Sequence, residues 1–157
     1  MRSQVCIEPT DNINFLAECA IASGSSVYET VEDSKEAIKT KLVQGFECYE
    51  DGVLGGCSFI SKLSFPCVEL YTIDGFRVDA MGTSLRGSIE SGKMTREYAK
   101  KELGIDWTFI VHPLNNVGVN RLSKLMGYKN TCIVELDGVH YMLLVESGYY
   151  KRFILKQ

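Results

Sequence analysis

Residues 68–85 read VELYTIDGFRVDAMGTSL, and the other predicted elements are arranged around this stretch. Apolar, aromatic and β-branched side chains over 68–73 favour a buried strand. Asp74-Gly75 then predicts a turn, and small residues over 77–85 predict a loop that opens a helix. Because the first N–H groups of a helix lack partners and carry partial positive charge, this loop predicts a seat for a phosphate group.

The composition is that of one globular domain spanning 1–157. Of the 157 residues, 45% are hydrophobic and 24% are charged, which is ordinary for a folded domain of this size. A net charge of -3 disfavours nucleic acid as a partner. No apolar run approaches the ~20 residues that span a bilayer, and the N-terminus lacks a signal-peptide core. We therefore expect a cytoplasmic protein with no membrane partner.

The cysteines predict neither a metal site nor a disulfide framework. No two of them form a C-x-x-C pair, and the chain has only two histidines, so zinc-ligand spacing is missing. Several cysteines lie in apolar runs, where a thiol behaves as a small hydrophobic group. We expect them to be reduced and buried; they are Cys6, Cys19, Cys48, Cys57, Cys67 and Cys132.

Turn and cap signals order the elements. Asp51-Gly52 and Asp137-Gly138 each predict a tight hairpin, and Gly55-Gly56 predicts a bulge in the second arm of the first hairpin. Helical spacing predicts helices over 14–22 and over 84–103. A second helix is predicted to end near Gly45, with capping boxes at Ser26 and Asp33 as its start signals. A fourth helix is predicted after Asn115-Asn116, which can cap it. The predicted order is strand, two helices, hairpin, strand, helix, strand, helix, hairpin.

One motif carries a family resemblance. Arg77-x-x-Ala80-x-Gly82-x-x-Leu85 resembles the pyrophosphate loop of the GCN5-related N-acetyltransferases (GNAT), written Gln/Arg-x-x-Gly-x-Gly/Ala. Ala80 stands where the family has glycine. A second patch, from Asn116 to Gly127-Tyr128, resembles the family's fifth strand and fourth helix. The predicted element order is also similar to the GNAT order along nearly the whole chain.

The resemblance implies an α/β (α+β) fold with a mixed central sheet of six to seven strands flanked by about four helices. In the family the two central strands splay apart, and the pantetheine arm of acetyl-CoA lies between them like a strand. The implied function is an acyl-CoA-dependent N-acyltransferase that moves an acetyl group from acetyl-CoA to a primary amine. The implied cofactor-binding residues are Ile73, Arg77, Val78, Ala80, Gly82, Thr83 and Asn116.

Acyl transfer needs a base for the amine and an acid for the leaving thiolate. Glu69, beside the expected cofactor path, is the candidate base, although strand alternation could point it to solvent. Ser123 stands where many relatives have the tyrosine acid, and a serine hydroxyl is a poorer acid than a phenol. Arg77 could instead pair with a surface carboxylate, and Asn116 could be only an N-cap.

Other interpretations stay open. His112 is interpreted as structural, and a Cys57–His112 nucleophile pair has no support from spacing. The altered motifs also fit a catalytically eroded GNAT-like binding or virion protein, as in small phage-encoded relatives. A third alternative is an interaction domain that never binds CoA. The acceptor would be a small-molecule or protein amine, and a homodimer is compatible with the family.

Overall fold

The computed structural model describes residues 4–24, 28–66, 72–82, 84–136 and 138–149. Its elements are, in chain order, β1 (Val5–Thr10), α1 (Ile13–Ala22), α2 (Val31–Lys39), β2 (Leu42–Glu50), β3 (Val53–Pro66), β4 (Thr72–Met81), α3 (Leu85–Glu102), β5 (Thr108–Pro113), α4 (Val117–Leu125), β6 (Tyr128–Leu136) and β7 (Val139–Glu146). The predicted order of strands and helices is confirmed.

All seven strands form one mixed sheet in the order β1-β2-β3-β4-β5-β7-β6. Every neighbouring pair is antiparallel except β4 and β5, which run parallel in the middle of the sheet. The predicted α+β class, strand number and helix number are confirmed. Among the described residues, no helix is long and apolar enough to cross a membrane.

The first hairpin has the predicted turn. Asp51 and Gly52 have φ angles of 52° and 79°, and Glu50 pairs with Val53, which is the geometry of a primed two-residue turn. Cys48 pairs with Gly56 while Tyr49 pairs with Leu54, so one extra residue lies in the second arm. The bulge predicted at Gly55-Gly56 is confirmed.

The sheet has an apolar core on both faces. On one face, α1 and α2 cover β3 and the end of β4, and this core is formed by Leu16, Ala17, Ala20, Ile38, Cys57, Phe59 and Met81. On the other face, α3 packs on Phe46, Ile60 and Val78, and α4 packs beside Ile110 and Leu144. Since side chains alternate along a strand, Ile73, Arg77, Asp79 and Met81 of β4 share the α1–α2 face.

A buried polar cluster fixes α3 to the amino-terminal end of β5. Glu146 on β7 accepts hydrogen bonds from the Thr108 backbone and hydroxyl, and it pairs with Lys100 Nζ at 2.7 Å. Thr108 Oγ1 also lies 2.6 Å from Tyr128 Oη. Burial raises the pKa of Tyr128 to about 12, so its phenol stays protonated.

The strand predicted over 68–73 continues further than expected, although 68–71 lie outside the described residues. Its described part runs to Met81, so the expected turn at Asp74-Gly75 and the expected loop over 77–81 are wrong. Gly75 instead pairs with Leu63, and a Cβ on it would lie 2.7 Å from the Trp107 ring. Because β3 runs on to Pro66, it supplies hydrogen-bond partners along all of β4, and this pairing outweighs the local turn preference.

The second helix also differs from its prediction. It ends at Lys39 rather than near Gly45, which lies within β2, where Leu16 packs against it. Its N-cap is Thr30, whose hydroxyl accepts from the Asp33 backbone, so Asp33 is not the cap residue. The other predicted capping residue, Ser26, lies outside the described residues.

Candidate functional site

The central parallel strands pair over a short distance and then part. Among the described residues, β4 and β5 pair only at Phe76–Thr108 and Arg77–Phe109. Beyond these pairs, β4 continues through 78–81 and β5 through 110–113. The inner edges of these two segments face each other without a shared ladder, and we call the space between them the β4–β5 gap.

Arg77 reaches across the start of this gap. Its Nη2 donates a hydrogen bond to the Val111 carbonyl on β5 at 3.2 Å and pairs with Asp79 Oδ1 at 3.2 Å. The side chains of Arg77 and Asp79 are 29% and 17% exposed. Burial raises the pKa of the Asp79 carboxyl, and the Arg77 guanidinium partly offsets that rise. The gap therefore begins at a half-buried ion pair.

Both helices that follow the central strands begin at the open end of the gap. Helix α3 follows β4 with Ser84 as its N-cap, and α4 follows β5 with Asn116 as its N-cap. The Asn116 side-chain oxygen accepts from the Val119 backbone at 3.1 Å, so the cap interpretation of Asn116 is confirmed. Two helix N-termini at one edge of the sheet favour an anion there.

A carboxylate of the chain already lies at the start of α3. Ser84 Oγ donates to Glu50 Oε2 at 2.8 Å and accepts from the Gly87 backbone N–H at 2.8 Å. A Cβ on Gly87 would lie 3.0 Å from the same Glu50 oxygen. The missing side chain at Gly87 thus makes room for Glu50, which comes from the end of β2.

The junction between β4 and α3 is closely packed. A Cβ on Gly56 would lie 1.8 Å from the Met81 carbonyl oxygen, and one on Gly82 would lie 2.9 Å from the Ser88 backbone nitrogen. The Gly82 N–H donates to Ser88 Oγ at 2.9 Å. The missing side chain at Gly56 therefore lets the first hairpin, which carries Glu50, pack against this junction.

The structure distributes the predicted cofactor residues over three settings. Ile73 and Val78 are buried, so they could offer only backbone groups to a ligand. The Ala80 methyl group faces α3 beside Gly92. Arg77 precedes and Gly82 follows the gap segment of β4, residues 78–81. Thr83 and the candidate base Glu69 lie outside the described residues.

The candidate residues on β5 and α4 have internal partners. Ser123 is 1% exposed, and its hydroxyl donates to the Val119 carbonyl at 2.7 Å. His112 lies 2.7 Å from the Pro113 carbonyl and 2.8 Å from Asn120 Nδ2, which supports the structural interpretation of this histidine.

A Cys57–His112 pair, which had no support from spacing, does not form, because the two residues face opposite sides of the sheet. Cys57 packs beneath α1, whereas His112 contacts α4. Hydrogen bonding to Cys19, together with burial, raises the pKa of the Cys57 thiol. No disulfide joins the described cysteines. Cys48, Cys57 and Cys132 are buried as expected, whereas Cys6 is exposed and Cys19 is partly exposed. Cys67 lies outside the described residues.

Sequence reasoning missed two charged residues of this site. Asp79 would have been found by extending β4 to Met81, since residues two apart on a strand share a face, and Arg77 and Asp79 are two apart. Glu50 carries no local signal for its position, because its partner Ser84 is 34 residues away.

The gap offers a group that suits acetyl-CoA. Arg77 Nε is buried, and no described residue accepts a hydrogen bond from it. A buried N–H without an acceptor matches the amide and thioester carbonyl oxygens of an acyl-CoA. Glu50 is the one mismatch among the described contacts, since a diphosphate at the start of α3 would meet its carboxylate.

The seven-stranded sheet with parallel, parting central strands has the fold of the GCN5-related N-acetyltransferases. An N-acetyltransferase from Staphylococcus aureus Mu50 superimposes with a TM-score of 0.65 and 12% identity over 91% of this chain and 97% of that one. A single-residue mutant of the spermidine N-acetyltransferase SpeG from Vibrio cholerae gives 0.66 and 9%, over 94% and 96%. A GNAT-family acetyltransferase from Bacillus anthracis gives 0.62 and 11%, over 92% and 96%.

Neither a protein-family model nor a curated protein matches the sequence. At identities of 9–12%, the likeness to the solved structures establishes the fold alone.

Proposed function

We propose that the protein is an acyl-CoA-dependent N-acyltransferase that moves an acetyl group to a primary amine. The β4–β5 gap is the observation that carries this proposal. Two parallel strands that pair at Phe76–Thr108 and Arg77–Phe109 and then part leave two backbone edges that no described strand pairs. An extended chain bearing amides, such as pantetheine, can hydrogen-bond to such edges as a strand would.

The open end of the gap would bind the nucleotide part of acetyl-CoA, and the other end would hold the reacting thioester. The N-termini of α3 and α4 would hold the negative charge of the nucleotide part. Acetyl-CoA supplies an activated thioester when it is bound. The amine must lose a proton and the leaving thiolate must gain one, and Glu69 and Ser123 remain the predicted groups for these transfers.

The acceptor class follows from the chemistry and from the neighbours. Transfer from a thioester needs an uncharged amine as nucleophile, whether it belongs to a small molecule or to a lysine of a protein. The structural neighbours include variants of one spermidine N-acetyltransferase, SpeG from Vibrio cholerae, so spermidine is the first acceptor to test.

Two observations favour a second candidate, a GNAT-fold binding protein without transferase activity. Glu50 places a carboxylate at the start of α3, where a diphosphate would lie. The buried Ser123 hydroxyl donates to the Val119 carbonyl, so it would have to leave that partner to donate a proton to a thiolate. This candidate predicts weak or no CoA binding, or binding without turnover.

The deciding experiment combines titration calorimetry with acetyl-CoA and detection of released thiol in the presence of spermidine. Leu85 is 67% exposed in the first turn of α3, and Leu85→Glu adds a negative charge there. We expect acetyl-CoA to bind the wild-type protein and to bind Leu85→Glu at least about fivefold more weakly, because like charges repel.

Leu125→Glu is the matched control, since Leu125 is 54% exposed at the end of α4 away from the gap. Binding without turnover across an amine panel would favour the second candidate. No heat of binding at millimolar acetyl-CoA would refute the transferase proposal.

A further inference from the structure

Arg77 carries a buried donor that the folded chain leaves unused. Its Nε is inaccessible to solvent, and none of the described residues accepts its hydrogen. Leaving a buried donor without a partner costs about 1–3 kcal/mol, so such groups are rare in folded proteins. An unpaired N–H at the start of a gap therefore points to a ligand that accepts it.

The guanidinium is held in place by its other end. Nη2 donates to the Val111 carbonyl and pairs with Asp79 Oδ1, each at 3.2 Å. Because the side chain runs from β4 to a carbonyl of β5, the guanidinium spans these two strands on the α1–α2 face. The guanidinium is planar and rigid, so fixing Nη2 also fixes the direction of the Nε–H bond.

We propose that the Nε–H of Arg77 donates a hydrogen bond to the thioester carbonyl oxygen of the acyl donor and stabilises the negative charge that develops on it. This inference rests on the proposed function. It assigns Arg77 to the reacting carbonyl rather than to the diphosphate, whose expected place is the start of α3. Arg77 lies seven residues before the Ser84 N-cap, at the opposite end of the gap segment of β4.

The step balances with the groups named. The amine nitrogen forms a bond to the carbonyl carbon, and the carbonyl electron pair moves to the oxygen that accepts from Arg77. The pair then returns, the carbon–sulfur bond breaks and the thiolate leaves. One proton is lost from the amine and one is gained by the thiolate, giving an amide and free CoA. A preformed donor at the oxygen favours the charged state over the neutral carbonyl.

The test compares a ligand that has the carbonyl with one that lacks it. Wild-type protein, Arg77→Lys and Arg77→Gln are titrated with acetyl-CoA and with free CoA by calorimetry. Arg121→Lys, at an exposed position on α4, is the matched control. We expect both Arg77 variants to bind acetyl-CoA about tenfold more weakly and free CoA as the wild-type protein does, since a hydrogen bond from a charged donor contributes about 1.5 kcal/mol.

A second measurement needs no variant. In wild-type protein with ¹⁵N-labelled arginine, the Arg77 Nε–H resonance should shift and exchange more slowly with acetyl-CoA than with CoA. The assignment would be overturned if the Arg77 variants lost affinity for acetyl-CoA and for CoA equally. It would also be overturned if the Nε–H signal responded alike to both ligands. Either result would leave the transferase proposal intact. Failure of both ligands to bind the wild-type protein would overturn both.

Discussion

Removing the charge of Glu50 should improve the binding of acetyl-CoA. Glu50→Gln keeps the size of the side chain and an oxygen that can accept from Ser84 Oγ, now 2.8 Å away. It removes the negative charge that lies against the first turn of α3. Under the proposed function, this carboxylate and the diphosphate of acetyl-CoA compete for the same positive helix end.

The magnitude is worked for two charges about 4 Å apart. Two unit charges 4 Å apart interact by about 1 kcal/mol in water and about 4 kcal/mol near a protein surface. The lower bound alone corresponds to about fivefold in affinity, since about 1.4 kcal/mol is tenfold. The effect on the unliganded protein has the opposite sign, because a carboxylate at a helix N-terminus stabilises the helix by about 0.3–1 kcal/mol.

The assay is calorimetric titration with acetyl-CoA at low and high salt, together with urea unfolding of the unliganded protein. Glu50→Gln should bind at least about fivefold more tightly than the wild-type protein, and the gain should shrink in high salt. Glu47→Gln removes a carboxylate from the same strand; that carboxylate accepts from Tyr49 Oη, and the variant should bind as the wild-type protein does. Unchanged or weaker binding by Glu50→Gln would refute the competition.

Three further predictions follow from packing and protonation. Gly56→Ala should destabilise the fold by at least about 2 kcal/mol, because its methyl group would meet the Met81 carbonyl, whereas Gly118→Ala, in open space on α4, should stabilise it by about 0.5 kcal/mol; urea unfolding measures both. Because the pKa of Tyr128 is raised to about 12, the folded state holds a proton that the unfolded state loses above its pKa of 10.0, so stability should fall as pH rises from about 10 through 12. Tyr128→Phe should lose that part of the pH dependence, and a slope equal to that of the wild-type protein would contradict the assignment. In the native protein, iodoacetamide should modify the exposed Cys6 well before the buried Cys57, and equal rates by mass spectrometry would show that the core opens readily.

The order of the elements could be predicted because its signals are local. The hairpin turn at Asp51-Gly52 requires positive φ angles, which Asp and Gly tolerate. Asn116 caps α4 through a hydrogen bond to a residue three positions away. The same signals misled at Asp74-Gly75, where a turn dipeptide lies inside a strand. Pairing with β3 and the Trp107 ring decided that conformation, and neither is visible from the stretch itself.

The site was harder to predict than the fold because its charged contacts are distant in sequence. Arg77 meets the Val111 carbonyl, and Ser84 meets Glu50, each across 34 residues. The nine-residue motif over 77–85 predicted that Arg77 lies in a loop that binds the pyrophosphate of the cofactor. The extension of β4 places it at the point where β4 and β5 part.

The two charged contacts of the gap separate the rival functions. A chain that had lost its ligand would gain by filling the gap with apolar side chains, since these remove the cost of an unpaired buried donor. This chain instead keeps Arg77 Nε buried without a described acceptor. Glu50 differs, because its carboxylate is satisfied by Ser84 without any ligand. The unpaired Nε–H of Arg77 therefore favours a protein that still binds its ligand. The Glu50 carboxylate, which is paired with Ser84, indicates that this ligand competes with Glu50 for the start of α3.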